Sequence, residues 1–238
     1  MYKIVSLKNT FNFNLIPNTI VDSHEQVLAF WQDALAKGWI QKGATLIHVD
    51  AHSDIFMGRN PPLTTKANFI NEAIRLGIIK KVIWVVPDGL PEVSGLQSQT
   101  RGETNLGIFE AVPYKTKLYS DSWEIRTAES FGWGGVDKRS YSEIELEVVR
   151  LSELNCESDN LIFDIDYDFF SNSGHDTHRG FKVDYSDVEV VKKIYMFFSK
   201  IMDLNIHPNI ITAAKSFDYV NVHQRNILDK AIRGILGQ

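Results

Sequence analysis

The chain is poor in several things, and each shortage removes a class of protein. It has one cysteine, Cys156, so it can form no internal disulfide, which fits a reducing compartment. That thiol sits in a polar stretch, Glu153-Leu154-Asn155-Cys156-Glu157-Ser158, with no basic neighbour to lower its pKa, and is not read as a nucleophile. Basic residues are in deficit, 25 against 30 acidic ones, for a formal charge of −5. Binding to a phosphate backbone rests on the opposite balance, so no nucleic-acid partner is expected. Nowhere do roughly 18 apolar residues run without a charge, and the opening Met1-Tyr2-Lys3-Ile4-Val5-Ser6 has no apolar stretch of signal-peptide length. The expectation is a cytoplasmic protein without a membrane partner. Repeats, linkers and low-complexity tracts are missing too, and the 238 residues are read as one domain, 1–238.

What is present is a set of short β-branched runs with helical spacing between them. Ala44-Thr45-Leu46-Ile47-His48-Val49, Lys81-Val82-Ile83-Trp84-Val85-Val86, Leu161-Ile162-Phe163-Asp164-Ile165 and Asn209-Ile210-Ile211-Thr212-Ala213-Ala214 read as strands covered on both faces, as in parallel sheets. Helices are expected over 22–37, 67–76, 186–203 and 222–235. The first opens with Asp22 as cap and Glu25 closing a capping box, and the third carries an apolar stripe of Val188, Val191, Ile194, Tyr195, Phe198 and Met202. Residues 87–142 read as long loops with a hairpin. Alternating strands and helices imply a three-layer α/β/α sandwich with a mostly parallel sheet.

Two polar clusters leave these buried strands. In Asp50-Ala51-His52-Ser53-Asp54 the period of two projects Asp50, His52 and Asp54 to one side, and Asp164, Asp166 and Asp168 do the same in Phe163-Asp164-Ile165-Asp166-Tyr167-Asp168. Three carboxylates on one side repel one another unless a cation compensates. Taken singly, Asp-x-Asp after a strand is also a common turn device. Together the clusters can share the crevice at the strand ends of an open α/β sheet. Five carboxylates with one or two imidazoles make a hard, oxygen-rich donor set that suits manganese or magnesium better than structural zinc. So many anionic groups favour two ions over one.

These motifs resemble the two signatures of the arginase, agmatinase and deacetylase superfamily of ureohydrolases. Pro62-Leu63-Thr64-Thr65 followed by Asn68 also echoes the arginase substrate loop. The chain is most similar to the UPF0489 family and its peptide arginases, which convert arginine side chains of ribosomal peptide precursors into ornithine. The resemblance runs from His24 through Ile211-Thr212-Ala213-Ala214-Lys215-Ser216. It implies an arginase/deacetylase-like fold, two Mn2+ ions per chain and an arginine-containing precursor peptide as partner, and leaves a homo-oligomer open. It makes Asp50 and Asp164 bridging ligands, with His24 and Asp54 completing one ion's shell and His52 and Asp166 the other's. Asp54 would also orient the attacking hydroxide. Where arginases read Gly-Gly-Asp-His-Ser this chain has Val21-Asp22-Ser23-His24-Glu25, and Phe69-Ile70 replaces the histidine beyond the substrate-loop asparagine. His175 and His178 are candidates for protonating the leaving group. Asn68 is a substrate-binding candidate, and Asp218 or Asp168 could partner the guanidinium. His48 faces the same way as Asp50 but is read as a core or supporting histidine, and His207 and His223 as structural or exposed.

The expected reaction is hydrolysis of peptidyl arginine to ornithine and urea. Its rivals are a small-molecule ureohydrolase, a deacetylase-like amidohydrolase with one zinc, and a metal-dependent binding protein without activity.

Overall fold

The computed structural model describes residues 12–59, 63–88, 104–105, 114–120, 124–127, 142–171 and 185–238. His175, His178 and Pro62 lie outside these. Among the described residues the runs rich in valine and isoleucine become the centre of a sheet: β1 (Asn18–Val21), β2 (Ala44–Val49), β3 (Phe56–Arg59), β4 (Ile79–Val86), β5 (Thr104–Asn105), β6 (Tyr114–Ser120), β7 (Glu124–Thr127), β8 (Ser142–Arg150), β9 (Leu161–Asp166) and β10 (Ile210–Ala214). Their order is β1-β10-β9-β2-β4-β8-β6-β7-β3-β5. From β1 to β8 every pairing is parallel, and from β8 to β5 every pairing is antiparallel.

Among the described residues four α-helices cover the sheet: α1 (Val27–Ala36), α2 (Phe69–Arg75), α3 (Asp187–Asp203) and α4 (Val222–Leu236). The alternation of side chains along the strands sorts the core into two sides. Leu46, Val82, Trp84, Ile162 and Ile210 pack with Val27, Trp31, Phe69 and Ile70 of α1 and α2. Ile47, Val49, Phe163, Ile165 and Ile211 pack with Ile194, Phe197, Leu228 and Ile232 of α3 and α4. The result is the three-layer α/β/α sandwich, with a mostly parallel sheet, that the alternating pattern implies. No helix among the described residues is long and apolar enough to cross a membrane.

Several local readings change. Ser23, not Asp22, precedes the first helical turn, and Gln26 rather than Glu25 reaches back to accept from the Asp22 and Ser23 amides, at 3.2 and 3.3 Å. Asp22 instead pairs with Lys215. On α3 the buried face is Val190, Ile194, Phe197, Phe198 and Ile201, while Val188 and Tyr195 are exposed. Both stripes are apolar. The one chosen stacks Phe197 on Phe163 of β9 and packs it edge-on against Phe169 and Phe170.

The order of the parallel strands reverses between β2 and β9. From β2 the chain moves one way through β4 to β8, then returns to β9 on the other side of β2 and continues to β10. Open α/β sheets have a crevice at such a point, outside the carboxyl ends of the strands. The two acidic clusters leave the carboxyl ends of these two strands.

Candidate metal centre

Strand register determines which acidic groups meet. β2 and β9 pair His48 with Asp164 and Val49 with Ile165, which brings Asp50 level with Asp166 at the next position on the same face. His48 and Asp164 therefore lie one step deeper in the sheet, between Thr212 of β10 and Trp84 of β4.

Each outer carboxylate divides its two oxygens between two tasks. Asp50 Oδ1 accepts from the His52 amide at 2.6 Å, and Asp166 Oδ1 from the Asp168 amide at 3.1 Å. Both are turn contacts, as Asp-x-Asp after a strand suggests. The other oxygen of each points at one histidine nitrogen. His24 Nδ1 lies 3.4 Å from Asp50 Oδ2, 3.0 Å from Asp166 Oδ2 and 3.0 Å from Asp54 Oδ2. Beside this group, His52 Nδ1 sits 2.9 Å from Asp168 Oδ2 and 3.6 Å from Asp50 Oδ1, and Asp168 Oδ1 accepts from the Ala51 amide at 3.2 Å. His24, Asp50, His52, Asp54, Asp166 and Asp168 all line one cavity of about 160 Å³.

His24 arrives from the turn between β1 and α1. It is buried because α1 anchors Val27, Leu28 and Trp31 in the core, and its ring packs 4.5 Å from that of Phe69. Asp54 takes a left-handed backbone conformation (φ 48°), uncommon for a residue with a side chain and often tolerated at functional sites.

The residues fit a divalent cation. His24 Nδ1, His48 Nε2 and Asp50 Oδ2 are buried without a hydrogen-bond partner, and buried polar atoms are rarely left so. Among the described residues two groups bring one ligand atom from each member within 4.8 Å of one another: His24, His48 and Asp50, and Asp50, His52 and Asp168. Donors of this kind suit a hard or borderline ion.

Charges shift as this crowding requires. Burial and the nearby Asp50 push the Asp54 carboxyl up to about 6, with His24 pulling the other way. Burial and the charges of Asp166 and Asp50 push Asp168 up as well. Burial alone would raise Asp164, but the His24 and His48 imidazoles hold it down at about 2. Against burial, Asp50 and Asp164 carry His48 up to about 10, and Asp164 carries His24 upward too.

The remaining candidates fall elsewhere. Asp164 does not line the cavity; its oxygens face Thr212 at 2.5 Å, His24 Nε2 at 2.8 Å and His48 Nδ1 at 3.0 Å. The register gives Asp166 the place opposite Asp50, and Asp164, read from the motif as a bridging ligand, stands one pair deeper against His24 and His48. Asp168, read as a partner for guanidinium, stands against His52. Asn68 is absent from the cavity wall: it accepts from Thr65 and donates to the Leu63 carbonyl, shaping the turn before α2. Asp218 is exposed at the rim, paired with Lys66. His207 and His223 are exposed, beside Asn205 and Asp187. His48, read from sequence as a supporting histidine, is fully buried between Asp50 and Asp164.

No family model and no curated protein matches the chain. Among solved structures it is similar to a proclavaminate amidino hydrolase from Streptomyces clavuligerus, with 16% identity and a TM-score of 0.49 over 92% of this chain and 62% of that one. It is also similar to a hypothetical agmatinase from Burkholderia thailandensis, with 12% identity and a TM-score of 0.48 over 92% of this chain and 57% of that one. The chain thus spans less than two thirds of the length of either.

Proposed function

We propose that this chain is a metal-dependent hydrolase of carbon–nitrogen bonds whose ions are held by His24, Asp50, His52, Asp54, Asp166 and Asp168. More particularly, we propose a binuclear manganese peptide arginase that turns arginine residues of a precursor peptide into ornithine and releases urea. One observation carries this: six ligand-type side chains from two neighbouring strand ends and one turn converge on a single cavity, with His24 Nδ1 within 3.0–3.4 Å of three different carboxylates. Asp50 lies between His24 Nδ1, at 3.4 Å, and His52 Nδ1, at 3.6 Å, as a bridging group would. Bound divalent ions would acidify water and so supply a nucleophile near neutral pH.

The chain's own groups do the rest. Asp54, on the cavity wall with Oδ2 3.0 Å from His24 Nδ1, is placed to accept a hydrogen bond from a water held there and so to orient it. At the rim, Asp218 would have to exchange its Lys66 partner for a cationic substrate group, and Phe217, half exposed, offers apolar surface to the residues flanking it. The peptide substrate, manganese and the UPF0489 assignment rest on the motif resemblance. Free arginine or agmatine is the small-molecule alternative for the same site.

A second reading has its own support. Asp50, His52 and Asp168 alone form a one-ion set, with the Tyr219 ring 4.4 Å from that of His52, as a deacetylase-like enzyme with one zinc would need. The test is to load the protein with Mn2+ and incubate it with free arginine, agmatine, arginine-containing peptides and an acetyl-lysine peptide, following urea and product mass. Urea from the peptides supports the proposal. Deacetylation with one zinc per chain and no urea would replace it with the second reading.

A further inference from the structure

Among the described residues, three buried side-chain polar atoms have no hydrogen-bond partner: His24 Nδ1, His48 Nε2 and Asp50 Oδ2. The same three residues form one of the two groups whose ligand atoms lie within 4.8 Å of one another. Distance is not what leaves these atoms unpaired. His48 Nε2 is 3.2 Å from Asp50 Oδ2, and His24 Nδ1 is 3.4 Å from the same oxygen, yet neither contact is a hydrogen bond. The other nitrogen of each ring is accounted for, since His24 Nε2 lies 2.8 Å and His48 Nδ1 3.0 Å from Asp164 Oδ2. An imidazole that donates from one nitrogen presents a bare lone pair at the other. Two such lone pairs and a carboxylate oxygen then surround one point, at residues that are 4%, 0% and 1% exposed. Atoms crowded this way repel unless a cation stands among them. Donors that share one ion at ~2.0–2.2 Å stand about 3–3.4 Å apart, which is the spacing of both nitrogens from Asp50.

We propose that His48 is itself a metal ligand, its Nε2 joining His24 Nδ1 and Asp50 Oδ2 on the ion of the His24 side. The motif resemblance gives His48 no place in the ligand set. The strand supplies the reason it has one: the period of two along β2 puts His48 on the face of Asp50, and its pairing with Asp164 of β9 holds the ring at the seam between the two strands. A second imidazole makes this position richer in nitrogen than the group of Asp50, His52 and Asp168. Imidazole suits Zn2+, whereas carboxylate suits Mn2+, so the two positions differ in metal preference and the one with His48 discriminates more strongly in favour of zinc.

This inference rests on the metal-dependent reading above, and two measurements separate its failure from the failure of that reading. Full-length wild type, His48→Gln and His48→Phe are stripped with chelator, checked for fold by circular dichroism, and titrated with Mn2+ and with Zn2+ by calorimetry. Removal of a residue that merely supports a ligand weakens binding by about 10–100-fold and keeps the ion count. Both His48 variants are instead expected to lose one ion, with the second position binding as in wild type and the larger loss seen with Zn2+. X-ray absorption at the zinc edge then counts imidazoles in the loaded protein, in a His175→Ala, His178→Ala background that leaves His24, His48 and His52 intact. Three imidazoles shared by two ions are expected. Two would make His48 a supporting residue and overturn the proposal, as would a full ion count in the variants at saturation. The absorption measurement needs no substitution at His48, so it decides even where His48→Gln and His48→Phe fail to fold. Wild type that binds neither metal overturns the proposed function itself.

Discussion

At the scale of single residues, the site is set by how carboxylate oxygens are shared out. Asp50 and Asp166 each give one oxygen to a backbone turn and the other to the cavity. Asp166→Asn should therefore keep the turn contact but abolish turnover, as a urea assay would show; wild-type turnover in this variant would remove Asp166 from the ligand set. The rim behaves differently. The Lys66–Asp218 pair is exposed, and exposed pairs contribute about 0–1 kcal/mol, so Asp218→Asn should leave the melting temperature almost unchanged and raise KM for a cationic substrate several-fold. An unchanged KM would remove Asp218 from substrate attraction. In the metal-free chain the imidazole His48 is carried up to about 10, so its stabilising effect is complete below ~6.5 and is lost as pH rises through about 10. Asp164, held down at about 2, contributes fully above ~3.9 and loses that contribution as pH falls through about 2. Urea midpoints of the metal-free protein across pH should fall on both sides of this range, and His48→Asn should flatten the alkaline fall.

At the scale of elements, much was legible and the misses have physical causes. β2 and the end of β9 announce themselves because continuous apolarity marks strands covered on both faces, and the acidic residues then stand at their ends. β8 was hidden because its first half alternates, Glu143-Ile144-Glu145-Leu146-Glu147, with those glutamates on a face that the helices leave open. β1 is only four residues long, too short for a period to register. Which residue of β9 stands opposite Asp50 was not legible, since spacing within one strand carries no information about register against its neighbour; the pairing puts Asp166 there. The burial of His24 likewise depends on α1 docking through Trp31 and on Phe69 closing over the ring. Phe69→Ala should cost about 3–5 kcal/mol in chemical denaturation and weaken metal binding by loosening His24. A loss below 1 kcal/mol would show that α2 does not hold this corner of the site.

At the scale of the molecule, the reversal of strand order between β2 and β9 creates the crevice, and the sequence places its acidic groups there. Several carboxylates held this close in a buried site are costly without a counterion, so metal binding and stability should be linked. Saturating Mn2+ at 100 times its dissociation constant should add about 2.7 kcal/mol for each independent ion, and loading should release protons from the raised imidazoles. Cations between the two acidic strand ends are what make this crowding tolerable, and anomalous diffraction at the manganese edge from a loaded crystal would locate them. The prediction is two peaks about 3.5–4 Å apart, both touching Asp50 and Asp166, one completed by His24 and Asp54 and the other by His52 and Asp168. A cavity that shows only water under saturating manganese, or peaks confined to other parts of the surface, would contradict it.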